Sequence, residues 1–187
     1  MYRLRTKGGK RDPVKRWGLP DRVFFACGAC HILAYAFLKT YPGSGFVRIW
    51  VRPVKGYTGN HIVVVRGQLA FDYHGYCDWT RLLGHMKQKA NRWWPGWDVT
   101  LVVLPEDVLI SETKSRTYDG LWLLEPKQFL FDPMPRAQKY LERFPAPPKA
   151  DASERLVDTH PDLHAGAGVD RLGHVQPQGG SLHEAEP

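Results

Sequence analysis

The sequence predicts an α+β domain in which a helix near the N-terminus packs on a small, mainly antiparallel sheet. Three observations carry that expectation. Segments follow in the order helix, several strands with one helix inserted, helix. Residues 61–65 and 68–74 are two apolar runs separated by Arg66-Gly67, a turn of the length that joins antiparallel strands. Seven Trp, eight Tyr and eight Phe in 187 residues supply the large apolar side chains for a core.

Taken in order, residues 29–39 read as a helix. Ala, Leu and Tyr fill it, Ile32, Ala36 and Phe37 recur at helical spacing, and Tyr41-Pro42-Gly43 stops it. Residues 46–51 alternate and are rich in large apolar side chains, which predicts a strand ending before Pro53. The hairpin 61–74 comes next. Asp78 is placed to cap a helix running to about Asn91, with Leu82, Leu83 and Met86 on one face. Residues 99–104 form a short continuous apolar run, the pattern of a buried strand. Asp132 followed by Pro133 starts a last helix, expected to end near Phe144.

The folded domain is expected over residues 17–144. Residues 1–16 read as a flexible basic arm, with seven Lys/Arg against one Asp, Gly8-Gly9 and Pro13. Residues 145–187 open on Pro145-Ala146-Pro147-Pro148 and carry seven acidic against three basic side chains, with few large apolar residues. That composition predicts a disordered acidic tail. The body is strongly basic, so an acidic partner or nucleic acid is an open expectation. No run has the length of a membrane span, and the basic N-terminus lacks the apolar stretch of a secretory signal. With an odd number of cysteines, three, the expectation is a cytoplasmic protein with reduced thiols and no membrane partner.

Cys27-Gly28-Ala29-Cys30-His31 is the most chemically loaded segment. It fits a nucleophilic thiolate, a zinc site or covalent haem attachment. Cys30 falls in the first turn of the predicted helix, where unpaired backbone N–H groups and the positive end of the helix dipole favour a thiolate. With Arg66-Gly67 as the two central turn residues, Val64 would pair with Leu69 and His61 with Asp72. His61 would then donate one ring N–H to the carboxylate and keep the other nitrogen free as a base. His74 shares that face. A nucleophile, a base and an orienting acid would follow in chain order as Cys30, His61 and Asp72.

These residues resemble a known superfamily. The Cys27–His31 segment is similar to the Cys-Gly-Ser-Cys-Trp segment of papain-like proteases, whose second Cys is the nucleophile. The order Cys30, His61, Asp72, with His and Asp on adjacent strands, resembles the transglutaminase-like branch and the compact NlpC-like peptidases. The resemblance spans residues 24–76. His31 stands at the aromatic position of the papain motif, and Phe24 stands where papain has the Gln of its oxyanion hole. The resemblance implies a papain/transglutaminase-like core, needing no cofactor, that acts on a peptide or protein amide. It implies Cys30 as nucleophile, His61 as proton carrier and Asp72 as the residue holding His61. Hydrolysis, deamidation and crosslinking all remain open, because water or an amine completes the reaction.

The same cysteines support other readings. Cys27, Cys30, His74 and Cys77 would make a Cys₃His zinc site, and hence a structural or binding module, with a basic aromatic-rich surface for nucleic acid. Cys-x-x-Cys-His is also the haem-attachment pattern, though its usual all-helical host conflicts with the hairpin. Arg92-Trp93-Trp94-Pro95-Gly96-Trp97 is the other conspicuous cluster. Trp93, Trp94 and Trp97, with His74, are the candidate substrate-binding residues. The competing reading of the tryptophans is a helix-to-strand connection that covers the core.

Overall fold

The computed structural model describes residues 12–149. They belong to the first of two compact units, residues 1–151; the second, residues 152–187, lies outside the described residues, as do the expected acidic tail beyond 149 and the arm up to residue 11. The architecture is α+β. Among the described residues, six α-helices, α1 (Pro13–Trp17), α2 (Asp21–Ala26), α3 (Cys30–Thr40), α4 (Trp79–Asn91), α5 (Glu112–Ser115) and α6 (Pro133–Leu141), accompany five strands. The strands are β1 (Val47–Pro53), β2 (His61–Arg66), β3 (Leu69–Asp72), β4 (Gly75–Asp78) and β5 (Val99–Val103). They form one antiparallel sheet in the order β4-β3-β2-β1-β5.

The alternation of β2 builds two cores. Ile62 and Val64 face α3, where Phe37 stacks on Phe71 with ring centroids 4.6 Å apart. Val63 and Val65 face the other way and pack with Leu82, Met86 and Ala90 of α4. The helix predicted over 29–39 is α3, and it lies at the centre of the first core, between β2, α6 and a 3-10 turn at Glu106–Ile110. Asp78 caps α4 by accepting from the Arg81 backbone N–H at 2.7 Å, and Asp132 caps α6 through Met134.

Several expectations need correction. The first hairpin turns on Gly67-Gln68, not Arg66-Gly67: Arg66 pairs with Leu69 and Val64 with Phe71. Gly67 occupies the first central position with φ +53°, where only glycine is free of strain. The slip is two residues, so every side chain keeps its face. The run 68–74 is not one strand either. It breaks after Asp72, and Tyr73-His74 forms a second two-residue turn into β4, with Asp72 paired to Gly75. β5 is an edge strand rather than a buried one; Leu101 and Val103 are exposed because the α4 layer reaches only as far as Val99 and Ile49. Within the segment read as an arm, Pro13 sits at the first helical position, where its missing N–H costs nothing, and Asp12 caps α1. Arg136 of α6 ties the N-terminal helices down by donating to the Trp17 and Leu19 carbonyls and the Asp21 carboxylate.

Candidate active site

Cys30 is the first residue of α3. The chain reaches it through Gly28, at φ +130°, and Ala29, whose side chain offers the helix no cap. The first N–H groups of the helix therefore take no bond from an N-cap side chain, and Cys30 sits at the positive end of the α3 dipole. Cys30 is partly exposed, whereas Cys27 is buried in the core. Leu33, Ala34, Ile62, Phe71, Asp72 and Tyr73 line the small space beside Cys30.

His61 opens β2 and is buried. Its Nε2–H donates to Asp72 Oδ2 at 3.0 Å, which leaves Nδ1 for the Cys30 thiol, with which the ring is hydrogen-bonded. The Tyr73 ring meets His61 edge-on at 5.6 Å and limits its rotation. Asp72 is buried and fully engaged, because its second oxygen accepts from the His74 backbone N–H at 2.8 Å and from His74 Nδ1 at 3.1 Å. The β2–β3 ladder closes at Val64–Phe71, so His61 reaches Asp72 diagonally rather than from directly across. The two-residue slip preserved the face and hence the contact.

The electrostatics follow from this packing. Burial alone would raise the Cys30 thiol, but hydrogen bonds and charge from His31 and His61 override it and hold the thiol at about 5, against an ordinary 9.0. Burial alone would lower His61, yet Asp72 and Cys30 outweigh it and raise the imidazole to about 9. Against a burial that raises it, Asp72 is held far below the usual carboxylate range by His61 and His74. At neutral pH the three groups are thus a thiolate, an imidazolium and a carboxylate. Cys77 behaves in the opposite way: burial and the charge of Asp72 push it up to about 11.

Three residues support the site: His31, which the sequence singled out only as part of the Cys27–His31 motif, and Asn60 and Tyr140, which it did not. His31 is 1 % exposed, and its Nε2–H donates to the Leu124 carbonyl at 3.0 Å while the ring also touches the Cys30 thiol. Asn60, just before His61, accepts from Trp50 Nε1 at 2.9 Å and donates to the Gly120 carbonyl at 3.1 Å. Tyr140 of α6 donates to the Tyr73 carbonyl at 2.7 Å and pins the turn that follows Asp72. All three partners are remote in sequence, so only the polar residue types themselves could have drawn attention.

The other candidates lie elsewhere. Trp97 is 2 % exposed in the second core and donates its Nε1–H to the Thr58 carbonyl at 2.9 Å; Trp94 packs beside it. Both belong to the sheet face opposite α3 and Cys30, because α4 carries the chain to that side. Trp93 is exposed and follows α4. His74 is the exception: it is exposed but bonds the second carboxylate oxygen of Asp72. Cys77 packs with the second core while Cys30 packs with the first. Among the described residues, no group of three or more His, Cys, Asp and Glu is arranged to hold a metal ion.

A scan against protein-family models and searches of curated proteins and of solved structures find no match to this chain. Among the described residues, no helix is long and apolar enough to cross a membrane.

Proposed function

We propose that this protein is a cysteine-dependent acyl hydrolase or acyltransferase acting on amide bonds, with a papain/transglutaminase-like catalytic arrangement. One observation carries the reading: Cys30, a partly exposed residue at a helix N-terminus, has its thiol held at about 5 by His31 and by a buried His61 that is itself held by a buried Asp72. A buried ion pair of this kind adds little to stability by comparison with an apolar replacement, so its presence points to chemistry.

The Cys30 thiolate attacks the amide carbonyl, and the carbonyl oxygen takes up the negative charge near the first N–H groups of α3. The imidazolium of His61 gives its proton to the leaving amine as the C–N bond breaks, leaving a thioester on Cys30. A water or an amine then attacks the thioester while His61 accepts its proton, and Cys30 departs as thiolate. Asp72 keeps Nε2 protonated throughout, so that Nδ1 carries the transferred proton.

Alkylation tests the nucleophile directly. Iodoacetamide at pH 6, followed by peptide mapping, is expected to modify Cys30 ahead of Cys27 and Cys77. The Cys30 rate should rise with pH through about 5 and then level off. Modification of Cys30 no faster than Cys77 at pH 6 would overturn the proposal.

A further inference from the structure

The segment that joins α5 to α6 spans the active site. Its residue Gly120 accepts from Asn60, the neighbour of His61, and its residue Leu124 accepts from His31, the neighbour of Cys30. Between these two anchors the side chains alternate. Leu121 and Leu123 are buried at 3 % and 6 %, and Trp122 is 66 % exposed. An exposed indole between two buried leucines is held in a fixed outward direction by its own backbone.

The ring itself is also fixed. The guanidinium of Arg116 lies over it at 4.3 Å from the centroid, and Glu112 hydrogen-bonds it. Arg116 is in turn paired to the same Glu112 at 2.5 Å. Ser115 of α5 takes the Leu123 backbone N–H at 3.0 Å, which locks the segment onto that helix. An aromatic ring oriented in advance on one face and left open on the other binds a partner at low entropic cost. Two residues of extended chain span at most about 7 Å, so Trp122 stands within reach of the His31 side of the site.

We propose that Trp122 is a substrate-binding platform that selects an aromatic or large aliphatic side chain beside the bond attacked by Cys30. Arg116 occupies one face of the indole, and the substrate side chain takes the other. The platform names a substrate class for the proposed acyl transfer and rests on that reading. Trp93, Trp94 and Trp97 are not part of it, since Trp94 and Trp97 serve the opposite sheet face and Trp93 follows α4.

Two maleimides that differ only in their substituent test this in the full chain. The rate constants for modifying Cys30 with N-benzylmaleimide and N-methylmaleimide are measured, and their ratio is compared with that of glutathione. The protein is expected to favour the benzyl reagent about three- to tenfold over the free-thiol ratio, the size of one aromatic contact. Trp122→Ala should return the ratio to the glutathione value, and Trp122→Phe should keep most of the preference, with circular dichroism checking both folds. An unchanged ratio in Trp122→Ala, or no benzyl preference in the parent protein, overturns the platform while leaving a fast Cys30 intact. Slow modification of Cys30 by both reagents overturns the nucleophile itself, and the platform with it.

Discussion

Cys30, His61 and Asp72 divide the work by environment. Cys30 stays partly open to solvent, as the proposed nucleophile would need, while His61 and Asp72 are buried and hydrogen-bonded to each other. Asp72 has the most demanding position, since its two oxygens serve His61 and both donors of His74. Replacing it by Asn in Asp72→Asn removes the charge that holds His61 protonated, while keeping the shape. The imidazole falls, the thiolate loses its cation, and the acid limb of Cys30 alkylation is expected to move alkaline by about one pH unit or more. On the proposed function, amide hydrolysis or acyl transfer should drop by about 10²–10⁴-fold, as expected when the residue holding a catalytic His is lost. An alkylation limb that stays at about 5 would make Asp72 a spectator. At this scale the sequence was informative: Cys30 at a helix start and a His and an acid on one sheet face were readable from pattern alone. The bonds that His31, Asn60 and Tyr140 make were not, because their partners Leu124, Gly120 and Tyr73 come from distant parts of the chain.

The elements that matter most are α3 and the two hairpins. α3 presents Cys30, and β2 presents His61. The turn Tyr73-His74 folds His74 back on Asp72 before β4 begins at Gly75. Gly75 holds φ +95°, and a Cβ there would meet Phe144 Cε1 at 2.6 Å. Gly75→Ala therefore faces backbone strain and a clash with a side chain whose ring is packed edge-on against Phe71 at 5.3 Å. The expected loss is about 2–3 kcal/mol in urea denaturation, with slower Cys30 alkylation because the Asp72 end of the hairpin shifts. Gly28→Ala makes the contrast. Its φ is +130°, but nothing lies within 4 Å of a Cβ, so strain alone should cost about 1–2 kcal/mol. Equal effects of the two substitutions would show that the Phe144 contact does not matter. Helix α3 was legible from its apolar spacing and the Tyr41-Pro42-Gly43 stop, and α4 from its spacing and the Asp78 cap. The turn at Gly67-Gln68 was not, since a two-residue slip leaves the apolar pattern on the same faces and only the glycine geometry separates the two registers.

For the whole molecule, the buried pair makes stability depend on pH. Between pH 5 and 6.5 the folded protein holds one proton on the Cys30–His61 pair, because the thiol sits at about 5 and the imidazole at about 9. The unfolded chain, with ordinary values of 9.0 and 6.5, holds the thiol proton and gains a second on His61 as pH falls. The unfolded state then binds more protons, so stability falls as pH drops from 6.5 to 5, on the order of 1–2 kcal/mol. The Asp72 carboxylate adds to the loss further down, because its stabilisation is present above its ordinary value of 3.8 and disappears as acid protonates it in the fold. Urea midpoints at pH 5 and pH 7 check this, with Cys30→Ala as the comparison. In that variant the step between 6.5 and 5 should reverse or flatten, because His61, kept protonated by Asp72, then stabilises the fold most at low pH.

By itself the sequence determined the α+β class, the helix carrying Cys30, the caps at Asp78 and Asp132, and the face on which His61 and Asp72 meet. These are local matters of apolar period, capping residues and strand alternation, and each is written within a few residues. Only the tertiary structure decided that Trp94 and Trp97 serve the second core while Trp122 stays exposed between two buried leucines, and that the run 99–104 lies at an edge. It also decided that Asp72 is shared by two histidines and that the loop carrying Leu124 and Gly120 clamps both sides of the site. Those outcomes depend on which surfaces α4, α6 and the 120–124 segment cover, and such long-range packing leaves no period in the chain to read.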